Sequence, residues 1–274
     1  MNLYATLNDL KVQLGTTSGE NNADLMRVLE AVSRQIEQSK MTDRFFYCWE
    51  GVRYYDGAPD RLWLPDDILA ITTLKCDQDG DGVFESIMAP ADYFIYPLNY
   101  YPKIRLKVNP SGSFSGFAPG ISKGIEVTGV FGYANSATPY EAKTALNEVS
   151  GITAVQTKFA VDDGKQIKIG QTIRIESEQM FVTDVVQNEV YVEREGLNGT
   201  IAATHADDKV VSVYTYPEDI THAVLILAMR AWKRKDSAYQ DIVGIAETGQ
   251  LIASKGVDPD VTEIVAPYRR QQYC

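Results

Sequence analysis

The chain is poor in cysteine, in histidine and in positive charge. Three cysteines, Cys48, Cys76 and Cys274, in 274 residues are too few and too widely spaced for a disulfide framework, and no C-x-x-C pair suggests zinc or redox chemistry. A reducing cytosol is the simplest compartment of synthesis. Of the two histidines, His205 lies in a turn-like "ATHADD" and His222 in the first turns of a helical pattern. Neither neighbours a Ser or Cys in a G-x-S-x-G context, which argues against a nucleophilic triad. Neither G-x-G-x-x-G nor G-x-x-x-x-G-K-[ST] occurs, so nucleotide binding has no support. The start "MNLYATLNDLKVQLG" lacks a basic segment followed by an apolar run, and the longest apolar stretch, Ala223 to Met229, ends at Arg230; no export signal and no membrane span are expected. Lys and Arg number 26 against 37 Asp and Glu, a formal net charge of −11. Tight binding to a nucleic-acid backbone needs cations to displace counterions, so it is not expected here.

What is present is helical pattern at both ends and strand pattern between. Thr6 opens a T-x-x-D capping box with Asp9, and Leu7, Leu10 and Leu14 form a short apolar face that stops at Gly15. Asn22 can cap a second helix, in which Leu25, Val28, Leu29, Val32 and Ile36 recur at helical spacing. The helical pattern returns at Thr215-Tyr216-Pro217-Glu218, with Ile220, Ala223, Val224, Leu227 and Ala231 on one face and Lys233, Arg234 and Lys235 where the helix dipole favours cations.

From Phe45 to about Tyr133 the runs "RFFYCW", "DILAITTLKC", "SIMAPADYFIYP", "KIRLKV" and "GIEVTGVFGY" read as a meander of antiparallel strands. After "ANSATPYEAKTALNEVS", a further set of closely spaced strands runs to Thr215, with turns at Asp163-Gly164, Gln187-Asn188 and Asn198-Gly199. That block is long enough to bury a core of its own as a small barrel or sandwich. Asn198-Gly199-Thr200 matches a glycosylation acceptor but reads better as a turn. Pro259 and Pro267 predict extended or irregular backbone in the final segment, which has no clear apolar period and so invites ordering by a partner.

The most pointed motif is "DQDGDG". Asp77, Asp79, Asp81 and Gly82 match positions 1, 3, 5 and 6 of a calcium loop and Glu85 matches position 9, but position 12 is Met88. The flanks read as strands where an EF-hand has helices, so the stretch reads as a hairpin tip. Glu176 and Glu178, two apart on a predicted strand, share a face on which carboxylates could do acid/base work; a solvated strand face explains them equally well. Sixteen tyrosines, dense in "YCWEGVRYYDG", "DYFIYPLNYYP" and "APYRRQQY", interleave with charge as interface surfaces do, although core and strand propensity also explain them.

The order of these parts resembles the head-to-tail connector, or adaptor, proteins of tailed bacteriophages. The resemblance is carried by "YATLNDLKVQLG", "ADLMRVLEAVSRQIEQ" running into "RFFY", "LKCDQDGDGVFES" followed by "DYFIYPLN", then "GVFGYA", "PEDITHAVLILAMRAWKRKDSA" and a tail ending "VAPYRR". It covers residues 1 to about 134 and 216 to 274. It departs at about 136–215, because in compact members "GYA" leads almost directly into "PEDI".

The resemblance implies an α+β fold with a helical bundle core and an antiparallel β meander, plus an inserted small all-β domain. The adaptor core would be residues 1–135 and 216–256, the inserted β domain 136–215, and the partner-docking tail 257–274. It implies a non-enzymatic structural virion protein, made in the host cytoplasm and located at the head–tail junction. A ring, commonly of twelve copies, would join the portal protein to a neck or tail-completion protein. DNA would pass through its channel without specific binding, which an acidic surface suits. Tyr268, Arg269 and Arg270 would be portal anchors, and no catalytic residue, metal or cofactor is expected. The alternative is a calcium-dependent β-rich module, binding carbohydrate or another virion protein. An enzyme using Glu176 or Glu178 is a third reading.

Overall fold

A computed structural model describes residues 1–193, 196–236, 242–245, 250–253 and 258–270. Helix α1 (Leu7–Leu14) starts where Thr6 Oγ1 accepts the Asp9 N–H at 3.1 Å, and ends where Gly15 adopts a left-handed conformation, φ 67°, returning its N–H to Lys11. Helix α2 (Asn22–Ile36) has its N-cap one residue before the expected one, at Asn21. Asn22 instead accepts from Lys11 Nζ at 3.1 Å. Helix α3 (Glu218–Asp236) follows Pro217, whose carbonyl takes the N–H groups of Ile220 and Thr221, and it packs on α1 and α2.

The strands are β1 (Trp49–Tyr55), β2 (Arg61–Cys76), β3 (Ser86–Met88), β4 (Tyr93–Tyr96), β5 (Lys103–Val108) and β6 (Ile125–Phe131) in one antiparallel sheet. The order is β1-β6-β2-β5-β4, with β3 on the end of β2. Alternation sets which face is core: in β6, Ile125, Val127 and Phe131 are buried, and they pack with Leu62, Leu74 and Leu106. The motif "GVFGY" has a steric reason. A Cβ at Gly129 would lie 2.2 Å from the Ala70 carbonyl oxygen, and one at Gly132, φ 131°, would lie 2.0 Å from that of Tyr47.

A second antiparallel sheet holds β7 (Tyr140–Ala145), β8 (Lys158–Ala160), β9 (Thr172–Ile175), β10 (Glu178–Val186), β11 (Glu189–Glu193) and β12 (Val210–Tyr214), in the order β7-β12-β9-β10-β11-β8. Its two edges meet: Leu146 bridges Val161, Asn147 N–H donates to Ala160 and Asp162 N–H to Ala145. The sheet therefore closes on a core that includes Phe159, Ile173, Met180, Val190 and Val211. A two-stranded pair, β13 (Ile242–Ile245) with β14 (Gln250–Ala253), and helix α4 (Pro259–Val265) complete the described chain.

Contacts divide the described residues into two units, one of 1–43, 140–193, 196–197, 202–236, 242–245, 250–253 and 258–270 and one of 44–139 with 198–201. Within the first, Leu7 N–H donates to the Ile169 carbonyl and Lys168 Nζ reaches Asp9 at 2.9 Å, tying the start of α1 to the closed sheet.

The α+β expectation with a helical bundle core is corrected. The described chain is mostly β, two six-stranded antiparallel sheets with four helices. Helical periodicity identifies a helix but says nothing of its share of the core. At 8, 15 and 19 residues, the first three helices form a layer, while the two large apolar clusters that include strand residues lie in the sheets. "RFFYCW" is corrected too: residues 44–48 are irregular and β1 begins at Trp49.

Candidate functional site

The three predicted anchors lie in one short segment. Asp258 caps α4 by accepting the Asp260 N–H at 2.9 Å and is ion-paired with Arg230 of α3. Hydrogen bonds from backbone N–H groups and the Arg230 charge outweigh partial burial and hold the Asp258 carboxyl below its ordinary range. Val261 and Val265 are fully buried. Pro259 sits at the first turn of this helix, where its missing N–H costs nothing, and Pro267 lies in the 3-10 turn Ala266–Tyr268, so neither proline makes the segment extended.

The anchors then fold back onto their own chain. Tyr268 Oη donates to Asp219 Oδ2 at 3.0 Å. Arg269 donates from Nε to the Met41 carbonyl at 2.9 Å and from Nη2 to that of Lys40 at 3.1 Å. Arg270 donates from Nε to Asp43 and from its backbone N–H to Thr42. The loop after α2 thus offers four successive carbonyls to the two arginines. The other predicted tail residues, 257 and 271–274, fall outside the described residues.

"DQDGDG" lies in the 77–85 loop joining β2 to β3, which pair antiparallel through Cys76 and Ser86. Asp77 organises it: Oδ1 accepts the Gly80 N–H at 2.6 Å and Oδ2 the Gly82 N–H at 2.8 Å. Burial pushes the Asp77 carboxyl up, but these two donors prevail and hold it below 3.8. Asp77, Asp79, Asp81 and Glu85 each bring an oxygen within 4.8 Å of the others, a donor set that could hold a divalent cation. Met88 is buried in the core of the first sheet and supplies no closing ligand.

The structure brings together three residues that the sequence held apart. Glu176 is in the two-residue turn between β9 and β10, at φ 53°, not on a strand with Glu178. His205 lies between them, with Nδ1 2.8 Å from Glu176 Oε2 and Nε2 2.9 Å from Glu178 Oε2. Glu178 Oε2 also accepts the Ala203 N–H, and Lys209 Nζ meets Glu176 Oε1 at 2.6 Å. Lys209 first, then His205, lowers the Glu176 carboxyl below its usual range. The side chains of His205 and Glu178 are buried, at 1% and 0% exposure. Glu176, at 44% exposure, is the member of the cluster that reaches solvent. Alternation alone could not find it, because the partners are 27 and 29 residues apart in the chain.

No family model matches the chain, and no curated protein matches it. Among solved structures, it is similar to a chain of the "Neck of empty GTA particle computed with C6 symmetry", with 13% identity and a TM-score of 0.42, over 99% of this chain and 92% of that one.

Proposed function

We propose that this protein is a structural, non-enzymatic component of a tailed phage-like virion. Copies assemble as a ring of twelve at the head–tail neck, between the portal protein and the next neck or tail-completion protein. DNA passes through the ring without specific binding. The observation that carries the reading is the order of parts. Helices α1 and α2, a β meander ending in "GVFGYA", and α3 starting at "PEDI" follow one another in the connector order. The extra block between "GYA" and "PEDI" begins with β7 and ends with β12, and these two strands pair with each other. The block therefore leaves and re-enters the chain at one place, as an insertion does.

Tyr268, Arg269 and Arg270 are the portal anchors in this account. The Asp219 carboxylate that Tyr268 meets and the carbonyls that Arg269 and Arg270 occupy in their own chain are contacts that portal binding would exchange. The test is the complex itself: the purified chain mixed with portal assemblies of its particle should co-migrate as a ring-sized species in sedimentation, and absence of any complex would overturn the reading. A second reading, a calcium-dependent binding module, draws on the four converging carboxylates of the 77–85 loop. It predicts that calcium raises the unfolding temperature and that its chelation reverses the rise.

A further inference from the structure

The outer face of the first sheet carries a grid that the fold alone does not require. The register places Tyr96 of β4, Arg105 of β5 and Trp63 of β2 in one cross-strand row, and Phe94, Lys107 and Arg61 in the next. These six side chains share the face opposite the buried Leu62, Leu106 and Val108. Trp63 and Phe94 are each 42% exposed. The Arg105 guanidinium lies between two rings, 4.8 Å from the Trp63 centroid and 4.7 Å from that of Tyr96. Among the described residues the side chains of Arg105 and Lys107 meet no carboxylate, and Arg105 Nε is buried without a hydrogen-bond partner. In a chain with 26 cations against 37 acids, two unpaired cations among exposed aromatics mark a surface built for an anionic, partly apolar occupant.

The same chain carries a match. The 77–85 loop exposes Asp79, Asp81 and Glu85, and beside them Val83 and Ile87 are 58% and 64% exposed. Acidic and apolar groups alternate there, as cationic and aromatic groups do on the face. The face begins at the start of β2 and the loop follows its end, at Cys76. The thirteen residue steps from Trp63 to Cys76 correspond to about 40 Å of extended strand.

We infer that the acidic 77–85 loop of one copy seats on the Trp63–Tyr96–Arg105–Lys107 face of the next copy. Two different patches at opposite ends of one strand make a head-to-tail contact, which repeats around a ring. Three carboxylates then meet Arg105, Lys107 and Arg61, the last of which also pairs with Asp60 at 3.4 Å, and Val83 and Ile87 cover the rings. The inference rests on the ring reading and names the interface that builds it. Single-stranded nucleic acid is the competing occupant, since aromatics and cations on a sheet also suit bases and phosphates; the net charge of the chain and the presence of a matching loop favour a second copy.

The test uses two full-length charge reversals, Asp79→Lys with Asp81→Lys, and Arg105→Glu with Lys107→Glu. Asp79 and Asp81 are exposed and Arg105 and Lys107 are half-buried, and unchanged unfolding temperatures would show that each variant folds. Assembly is followed by sedimentation velocity, alone and with portal assemblies. Each variant alone should need at least tenfold more protein than wild type to form the ring-sized species, and an equal mixture of the two should restore it, because each reversed patch then finds its complement. A ring that forms unchanged in either variant, or a mixture that stays monomeric, overturns the contact while leaving the ring reading intact. Wild type that never exceeds a monomer, with or without portal, removes the ring reading and the contact together. Wild type that binds a single-stranded 30-mer, with that binding lost in the Arg105/Lys107 variant, assigns the face to nucleic acid and also overturns the contact.

Discussion

Arg269 donates its Nε–H to the carbonyl of Met41 at 2.9 Å, across 228 positions of sequence. With Arg270 on Thr42 and Asp43, it fixes the last described residues to the loop after α2. Because α4 buries Val261 and Val265 completely, deleting the segment removes core as well as anchors, about 1.5–3 kcal/mol for each valine. Replacement of Tyr268, Arg269 and Arg270 together by Ala is therefore the cleaner test. It should abolish portal binding in a pull-down while lowering the unfolding temperature by only a few degrees, since these contacts are at the surface. Undiminished binding would remove the three residues from the docking role.

His205→Ala should be costly. It takes away one hydrogen-bond partner of the buried Glu178 side chain, and leaving a buried polar group short of a partner costs about 1–3 kcal/mol. Thermal unfolding should move down by about 3–10 °C. A shift below about 2 °C would mean that the second sheet does not depend on the cluster.

Acid should destabilise the first unit through Asp9. Partial burial raises its carboxyl, but the Thr6 hydroxyl and N–H and the Lys168 ammonium prevail and place it below 3.8. A carboxyl lowered in the folded state contributes stability that is present above its ordinary value of 3.8 and is lost as pH falls through the folded value. Glu37 works in the opposite sense. Burial raises its carboxyl above 4.5, so its contribution is present below 4.5 and is lost as pH rises through the folded value. Urea unfolding of Asp9→Asn at pH 7 and at pH 3 should therefore show a smaller acid loss than wild type; an equal loss would exclude Asp9 as a contributor.

Gly129→Ala and Gly132→Ala should each destabilise the first sheet by about 1–3 kcal/mol. Both added methyl groups meet backbone oxygen rather than a flexible side chain, and Gly132 also has a left-handed φ of 131°. Denaturant midpoints compared with Gly120→Ala provide the check. A Cβ at Gly120 meets nothing within 4 Å, although its φ of 82° leaves some strain. Equal midpoints for all three variants would contradict the steric reading.

Local signals were the legible ones. The Thr6 cap and the Gly15 stop were written in adjacent residues, and so were the alternation of β6 and the hairpin at Asp77. The strand order β1-β6-β2-β5-β4 was not, because it depends on which strand a given edge meets, and that is decided by packing far along the chain. For the same reason neither the convergence of Glu176, Glu178 and His205 nor the grid of Arg105 and Trp63 could be read before the register was known. The helical bundle core was an implication of the resemblance and not of the residues, which read as strands from Phe45 to Tyr133 and again to Thr215; the part of β2 that they missed, from Arg61, runs into the register shift after Trp63.

The central claim is assembly on a portal, and the mass of the species formed measures it most directly. Sedimentation of the purified chain with portal assemblies, in calcium and in chelator, should give one ring-sized complex of the same mass in both. A chain that stays monomeric beside portals, yet gains several degrees of thermal stability when calcium is added, would contradict the connector account and make the 77–85 loop the functional centre.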